Sequence, residues 1–213
     1  MSQLSEYLEL IKNEKETKLL PKNINNGVTI FGVPGNSDFT VKVDATIYNS
    51  NNKLQLYIVE ISGLDLINIS KTSLSGFFSD LKNLKKISFK SRNNITDMTT
   101  MFYFCSNLEE VDFSNVDTSN VANMSNIFYG CNRLKTITEL DTNKVVNMSG
   151  AFHNCTALSN DSLNNILGMC ANATSYTGTK TLQNIGLTSA QATTCTGLSN
   201  WAAAQSAGWT TGY

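Results

Sequence analysis

The sequence predicts an α/β solenoid, with short parallel strands on one side and helical turns on the other. Three observations carry this. A unit of about two dozen residues recurs through the middle of the chain, its apolar spacing switches within each copy, and both ends depart from it. A length of 213 residues suits one elongated array with small appendages.

The repeat is the strongest signal. Ile95, Met98, Met101, Phe102, Cys105, Leu108 and Val111 align with Val121, Met124, Ile127, Phe128, Cys131, Leu134 and Ile137 at an offset of 26. A third copy, Val145, Met148, Ala151, Phe152, Cys155 and Leu158, follows at an offset of 24. A degenerate copy precedes them as Leu74, Phe77, Phe78, Leu81, Leu84 and Ile87, with Leu81 in the cysteine's place. Asp117-Thr118-Ser119-Asn120-Val121 recurs as Asp141-Thr142-Asn143-Lys144-Val145.

The spacing within a copy says what it builds. Apolar residues at 95, 98, 101, 102 and 105 take three-to-four steps, one face of a short helical turn. Val111 and Phe113 then alternate as a strand does. Asp117 and Asp141 are expected to cap the helical turns that follow them. Neither piece can bury its apolar face alone, so the units must stack. Thr138-Glu139-Leu140 breaks the alternation in the second full copy and predicts a bulge.

The string Asn123-Met124-Ser125-Asn126-Ile127-Phe128-Tyr129-Gly130-Cys131-Asn132-Arg133-Leu134, with Ser114 to Val121 before it, resembles the leucine-rich repeats of BspA-like surface proteins. The resemblance covers about residues 71–170 and implies a leucine-rich-repeat solenoid. Two further resemblances lie outside it. Leu20 to Gly35 is similar to a segment of bacteriophage tail and virion proteins. Ala190 to Cys195, with Gly208 to Tyr213, is similar to the ends of phage-encoded repeat proteins.

The chain accordingly divides into an N-terminal helix and β attachment segment (1–36), a β-hairpin capping the solenoid (37–70), the repeats (71–170) and a C-terminal cap (171–213). Leu4 to Leu20 reads as a charged helix stopped by Pro21. Val28 to Val33 reads as a strand closed by Pro34-Gly35, and Phe39–Tyr48 and Leu54–Ile61 as strands around Asn49 to Asn52. Asp161 to Cys170 reads as a helix capped by Asp161 or Ser162, with Leu163, Ile166 and Leu167 facing inward. Thr188 opens a second helix and Leu198 to Ala207 forms a third. Trp201 and Trp209 supply the area that closes the last unit.

Sixteen basic and seventeen acidic residues nearly cancel, which argues against a nucleic-acid binder. Asn, Thr and Ser number 27, 23 and 22, so the surface suits hydrogen bonding to neutral partners. After Cys170 there is no acidic residue and a single base, Lys180. The first residues lack an export pattern and no window is apolar enough to span a bilayer. Both point to a soluble chain completed in the cytosol, without membrane insertion.

Cys105, Cys131 and Cys155 hold one place in successive units and are expected to be buried free thiols. No Cys-x-x-Cys pair accompanies them and His153 is the single histidine, so no metal or cofactor is expected. No motif fixes a partner for His153, so no catalytic residue is assigned and an enzyme is not expected. Alternation points Lys86, Ser88 and Lys90 out of one unit, Glu110, Asp112 and Ser114 out of the next, and Thr136 and Thr138 out of the third. This face is the candidate binding surface, with a solvated face carrying register-fixing charges as the equal alternative. Phe102-Tyr103-Phe104 and Phe128-Tyr129 offer aromatic contacts on the other side.

These readings predict a non-enzymatic virion protein of a bacteriophage, anchored to other virion proteins by its N-terminal segment. Its repeat module would adhere to a host surface protein or glycan, in several copies set by particle symmetry. The alternative is a fragment of a BspA-like adhesin on a bacterial cell surface.

Overall fold

The computed structural model describes residues 29–33, 36–48, 54–65, 72–91 and 94–213. The helix expected over Leu4–Leu20 and the turns expected at Pro34-Gly35 and Asn49–Asn52 lie outside the described residues, as does most of the phage-like Leu20–Gly35 string.

One open sheet of six strands runs in sequence order: β1 (Thr29–Val33), β2 (Asn36–Tyr48), β3 (Leu54–Asp65), β4 (Lys86–Ser91), β5 (Glu110–Asp112) and β6 (Thr136–Ile137). The first two pairings are antiparallel. From β3 onward all are parallel, in the registers Ile61↔Ile87, Ile87↔Val111 and Val111↔Ile137. The N-terminal strands therefore cover the edge that β4 would otherwise expose and pass the free edge to the five-residue β1. Three helices follow: α1 (Asn160–Asn172), α2 (Ser189–Cys195) and α3 (Trp201–Ser206). The fold is mixed α/β, with four parallel strands and few helices.

The repeat builds the core as its spacing requires. Phe78, Phe102, Phe128 and Phe152 form a column of nearly parallel rings with centroids 5.2, 5.4 and 5.9 Å apart. Phe89 and Phe113 stack beside it on the strand side at 5.2 Å. Met98, Met124 and Met148, Leu108, Leu134 and Leu158, and the three repeat cysteines fill further columns, all buried. Burying a large apolar side chain contributes roughly 1.5–3 kcal/mol, so these columns dominate stability.

The helical turns are not helices. Each copy instead makes a chain of tight turns at 75–80, 99–104, 125–130 and 149–154. Met101 N–H donates to Met98 O and Cys105 N–H to Phe102 O, whereas Thr100 and Phe102 N–H donate sideways to Ser125 O and Ile127 O of the next copy. Two positions four residues apart have positive φ in every copy: Gly76 and Asp80, Thr100 and Phe104, Asn126 and Gly130, Gly150 and Asn154. A turn with positive φ at its third residue cannot propagate as an α-helix, and Gly, Asn and Asp fill such positions at least cost. Three-residue apolar spacing is shared by both structures, which is why it predicted a helix.

Asp117 and Asp141 likewise cap no helix. Their carboxylates accept from the N–H of Ser119 and Asn143, two residues on, as Asx-turns (3.0 Å each). The buried Thr118 hydroxyl accepts from Asp141 N–H at 2.8 Å and so ties two copies together. The bulge expected at Thr138–Leu140 is a strand end: β6 stops at Ile137, Glu139 is exposed and Leu140 turns into the core.

The last strand is closed by side chains of α1. Its N-cap is Ser159, not Asp161 or Ser162, and accepts from Ser162 N–H at 3.2 Å. The Ser162 hydroxyl, buried, donates to Lys135 O at 2.8 Å and accepts from Ile137 N–H at 3.1 Å. Asn165 Nδ2 donates to Ile137 O at 3.0 Å. The edge of β6 thus finds its partners without another strand. Leu163, Ile166 and Leu167 face inward as expected. Thr188 caps α2 in a reciprocal pairing with Gln191, whereas α3 begins only at Trp201, later than Leu198. Trp209 is buried and stacks on Tyr176 at 5.2 Å, and Trp201 packs partly buried against the core.

Candidate binding surface

The strand face places most of the expected residues side by side. Lys86, Ser88 and Lys90 lie on β4, Glu110 and Asp112 on β5, and Thr136 on β6, with Lys86↔Glu110↔Thr136 and Ser88↔Asp112 in register. Ser114 lies just beyond β5 and is exposed. Thr138 does not extend the face as expected. It lies past the end of β6, and its hydroxyl accepts from Phe113 N–H at 2.9 Å.

Much of this face is engaged internally. Lys86 Nζ meets Glu110 at 2.9 Å, and the neighbouring row repeats the device with Lys135 and Glu109 at 2.8 Å. Hydrogen bonding to Glu110, then its charge, raises the Lys86 pKa. The Lys135 ammonium holds the Glu109 carboxyl below its usual range in the same way. Asp112 accepts from Ser114 N–H at 2.8 Å. Opposite charges in adjacent parallel strands fix register, since a one-residue slip would separate them. Both pairs are solvent-accessible and contribute little net stability. The second pair was not singled out in the sequence, although Glu109 precedes Glu110 and Lys135 follows at the repeat offset.

The opposite side carries a row of rings. Tyr103 stacks on Tyr129 at 5.2 Å, and Tyr129 on His153 at 4.7 Å. Phe104 sits edge-on to both tyrosines, at 4.6 and 5.6 Å, and is 40% exposed. Gly130 makes room for it: a Cβ there would lie 2.7 Å from Phe104 Cδ1. Tyr103, Tyr129 and His153 each follow the column phenylalanine, so the repeat alignment itself assigns His153 to this row. As a lone histidine without a partner motif it carries no such signal.

Beyond His153 the chain forms a cleft of about 440 Å³, lined by Ser149, His153, Thr179, Thr181, Gln183 and Asn184. Gly150 and Gly186 complete its floor. At Gly186, with φ +97°, a Cβ would lie 2.4 Å from the backbone N of His153, so the close approach requires glycine. Asn184 O and Ile185 O accept from Gly150 and Phe152 N–H, taking the place of a further copy. Asn184 Nδ2 donates to the Tyr176 hydroxyl at 2.7 Å, and Lys180 Nζ donates to Ala207 O at 2.9 Å.

The five cysteines are free and buried, as the repeat placed three of them. Burial pushes the Cys105 thiol up to about 12 and Cys195 to about 11, and raises Cys131, Cys155 and Cys170 as well. Such thiols are neither nucleophiles nor metal ligands at neutral pH. Among the described residues, no group of three or more His, Cys, Asp or Glu side chains is placed to hold a metal ion. No helix among them is long and apolar enough to cross a membrane.

Stacked copies, a sheet with in-register charges and a polar cleft at one end define a repeat-built α/β protein with two accessible faces. The chain belongs to the family described as Mycoplasma protein of unknown function, DUF285, whose profile matches residues 72–185, over half of its length. That family is associated with BspA-like surface repeat proteins. No curated protein and no solved structure matches the chain significantly.

Proposed function

We propose that this chain is a non-enzymatic adhesion module in which the stacked copies form a leucine-rich-repeat-type solenoid. The observation that carries the reading is the recurrence of surface positions in register. Lys86, Glu110 and Thr136 on one side, and Tyr103, Tyr129 and His153 on the other, repeat at the spacing of the copies. Surface positions that recur this way meet an extended partner at several regularly spaced points, each weak, and gain retention from their number.

The setting that the sequence favours is a bacteriophage virion, with the N-terminal segment bound to other virion proteins and several copies arranged by particle symmetry. The phage-like segments at 20–35, 190–195 and 208–213 support it. The family match supports a second setting, a BspA-like adhesin on a bacterial cell surface. Mass spectrometry of purified particles distinguishes the two. The chain present at fixed stoichiometry supports the virion; its absence there, with labelling on intact cells, supports the cell surface.

The adhesive role is tested by coating beads with the full chain at several densities and measuring retention on candidate host cells. Retention should rise steeply with density. Beads that stay unbound at every density on all cells tested would refute the role.

A further inference from the structure

We infer that the cleft beyond His153, with the aromatic row leading to it, is a binding site for a neutral oligosaccharide. This rests on the adhesion reading and names the ligand class of that surface.

The chemistry of the cleft points to an uncharged, hydroxyl-rich ligand. Ser149, Thr179, Thr181, Gln183 and Asn184 offer hydroxyls and amides, while no Asp, Glu, Lys or Arg lines it. Lys180, the one base after Cys170, is bonded to Ala207 O. A cationic ligand would surrender hydration with no carboxylate to meet it, and an anionic one would find His153 alone. Its volume falls within the range of about 300–1,000 Å³ typical of small-ligand sites. A protein partner needs a face of about 800 Å², far more than this recess presents.

The second observation is Phe104. The equivalent positions hold Asp80, Gly130 and Asn154, the residue types that accept positive φ most readily. Phe104 adopts φ +55° there, is 40% exposed as a residue and requires Gly130 beneath it. Backbone strain under an exposed ring, at a place where Asn or Gly fits at less cost, points to contact as the use of that ring. From Phe104 the rings step to Tyr129 (5.6 Å) and to His153 (4.7 Å) at the cleft. Tyr129 is covered on both faces by Tyr103 and His153, so a sugar's apolar face would pack on the exposed Phe104 ring while its hydroxyls pair with the cleft's amides.

The test uses the full chain and a printed array of neutral and sialylated oligosaccharides, including N,N′-diacetylchitobiose, maltotriose, lactose and 3′-sialyllactose. At least one neutral probe should bind, and its titration should perturb the amide signals of His153, Thr181 and Asn184. Gln183→Ala, a change at an exposed side chain, should weaken that probe about tenfold, the loss of one well-placed hydrogen bond. Phe104→Asn should also weaken it severalfold while raising the melting temperature, so lost binding cannot be lost folding. A blank array, preference for the sialylated probe, or binding unchanged in both variants would overturn the inference. Periodate and protease treatment of cells separates this outcome from the fate of the adhesion reading. Retention abolished by protease but untouched by periodate leaves an adhesin with a protein partner and no glycan site.

Discussion

The thiol of Cys131 donates to the carbonyl oxygen of Phe102, 3.1 Å away in the preceding copy. Cys105 does the same to Phe78 at 3.0 Å and Cys155 to Phe128 at 3.1 Å. Each repeat cysteine is thus a small buried donor linking one ring column to the next copy, not a partner for another sulfur.

This makes the thiols silent until the fold opens. Ellman's reagent should find almost no reactive thiol in the native chain and five in strong denaturant. The same burial sets an alkaline limit. An unfolded thiol ionises near 8.5, whereas the folded ones ionise later, Cys195 at about 11 and Cys105 at about 12. Above about pH 8.5 the unfolded chain therefore loses protons first, and stability falls as pH rises from there toward 12. Thermal melts from pH 7 to 10.5 should show a declining midpoint, and Cys→Ala variants a flatter profile.

Thr100 is a β-branched residue at φ +52°, where the next copy has Asn126 and the preceding one Gly76. Left-handed backbone costs an ordinary residue about 1–2 kcal/mol. Thr100→Asn should stabilise the chain by about 1 kcal/mol, read as a higher urea midpoint with an unchanged slope. The converse, Gly150→Ala, places a Cβ 2.3 Å from Asn126 Oδ1 at φ +64° and should destabilise.

Phe128 lies in the middle of the column, between Phe102 at 5.4 Å and Phe152 at 5.9 Å. Phe128→Ala should cost about 3–5 kcal/mol. Because neighbouring copies interact only with each other, hydrogen exchange should accelerate most in the copies flanking the cavity.

Ser162 bonds the open side of β6 through one hydroxyl. Ser162→Ala leaves the Ile137 N–H without that acceptor and should cost about 1–3 kcal/mol. The loss is measurable as faster exchange of the Ile137 amide.

What the sequence could and could not disclose follows from these contacts. The columns were legible because coincident positions at 24 to 26 residues have one economical explanation, and Lys86 opposite Glu110 followed from it. The turns were not legible because the residues that set backbone hand, Gly76, Asp80, Asn126, Gly130, Gly150 and Asn154, occupy gaps in the apolar pattern. Thr100 and Phe104 then hid the rule by breaking it. The cap of α1 went to Ser159 because Ser162 is drawn to the strand edge, a tertiary demand invisible locally. The row through Tyr129 and His153 was present in the alignment, but its junction with the cleft depends on residues 179–186 returning to the last copy.

The serine and asparagine of α1 that finish β6, like the strands before β4, satisfy the two ends of the parallel strands without reference to how many lie between them. Every intermediate coil hands its successor the same rings, thiol and carbonyls, so a duplicated copy spliced between the second and third would be accommodated without altering either terminus. A tandem duplication inserted there should leave the contacts at both ends as they are.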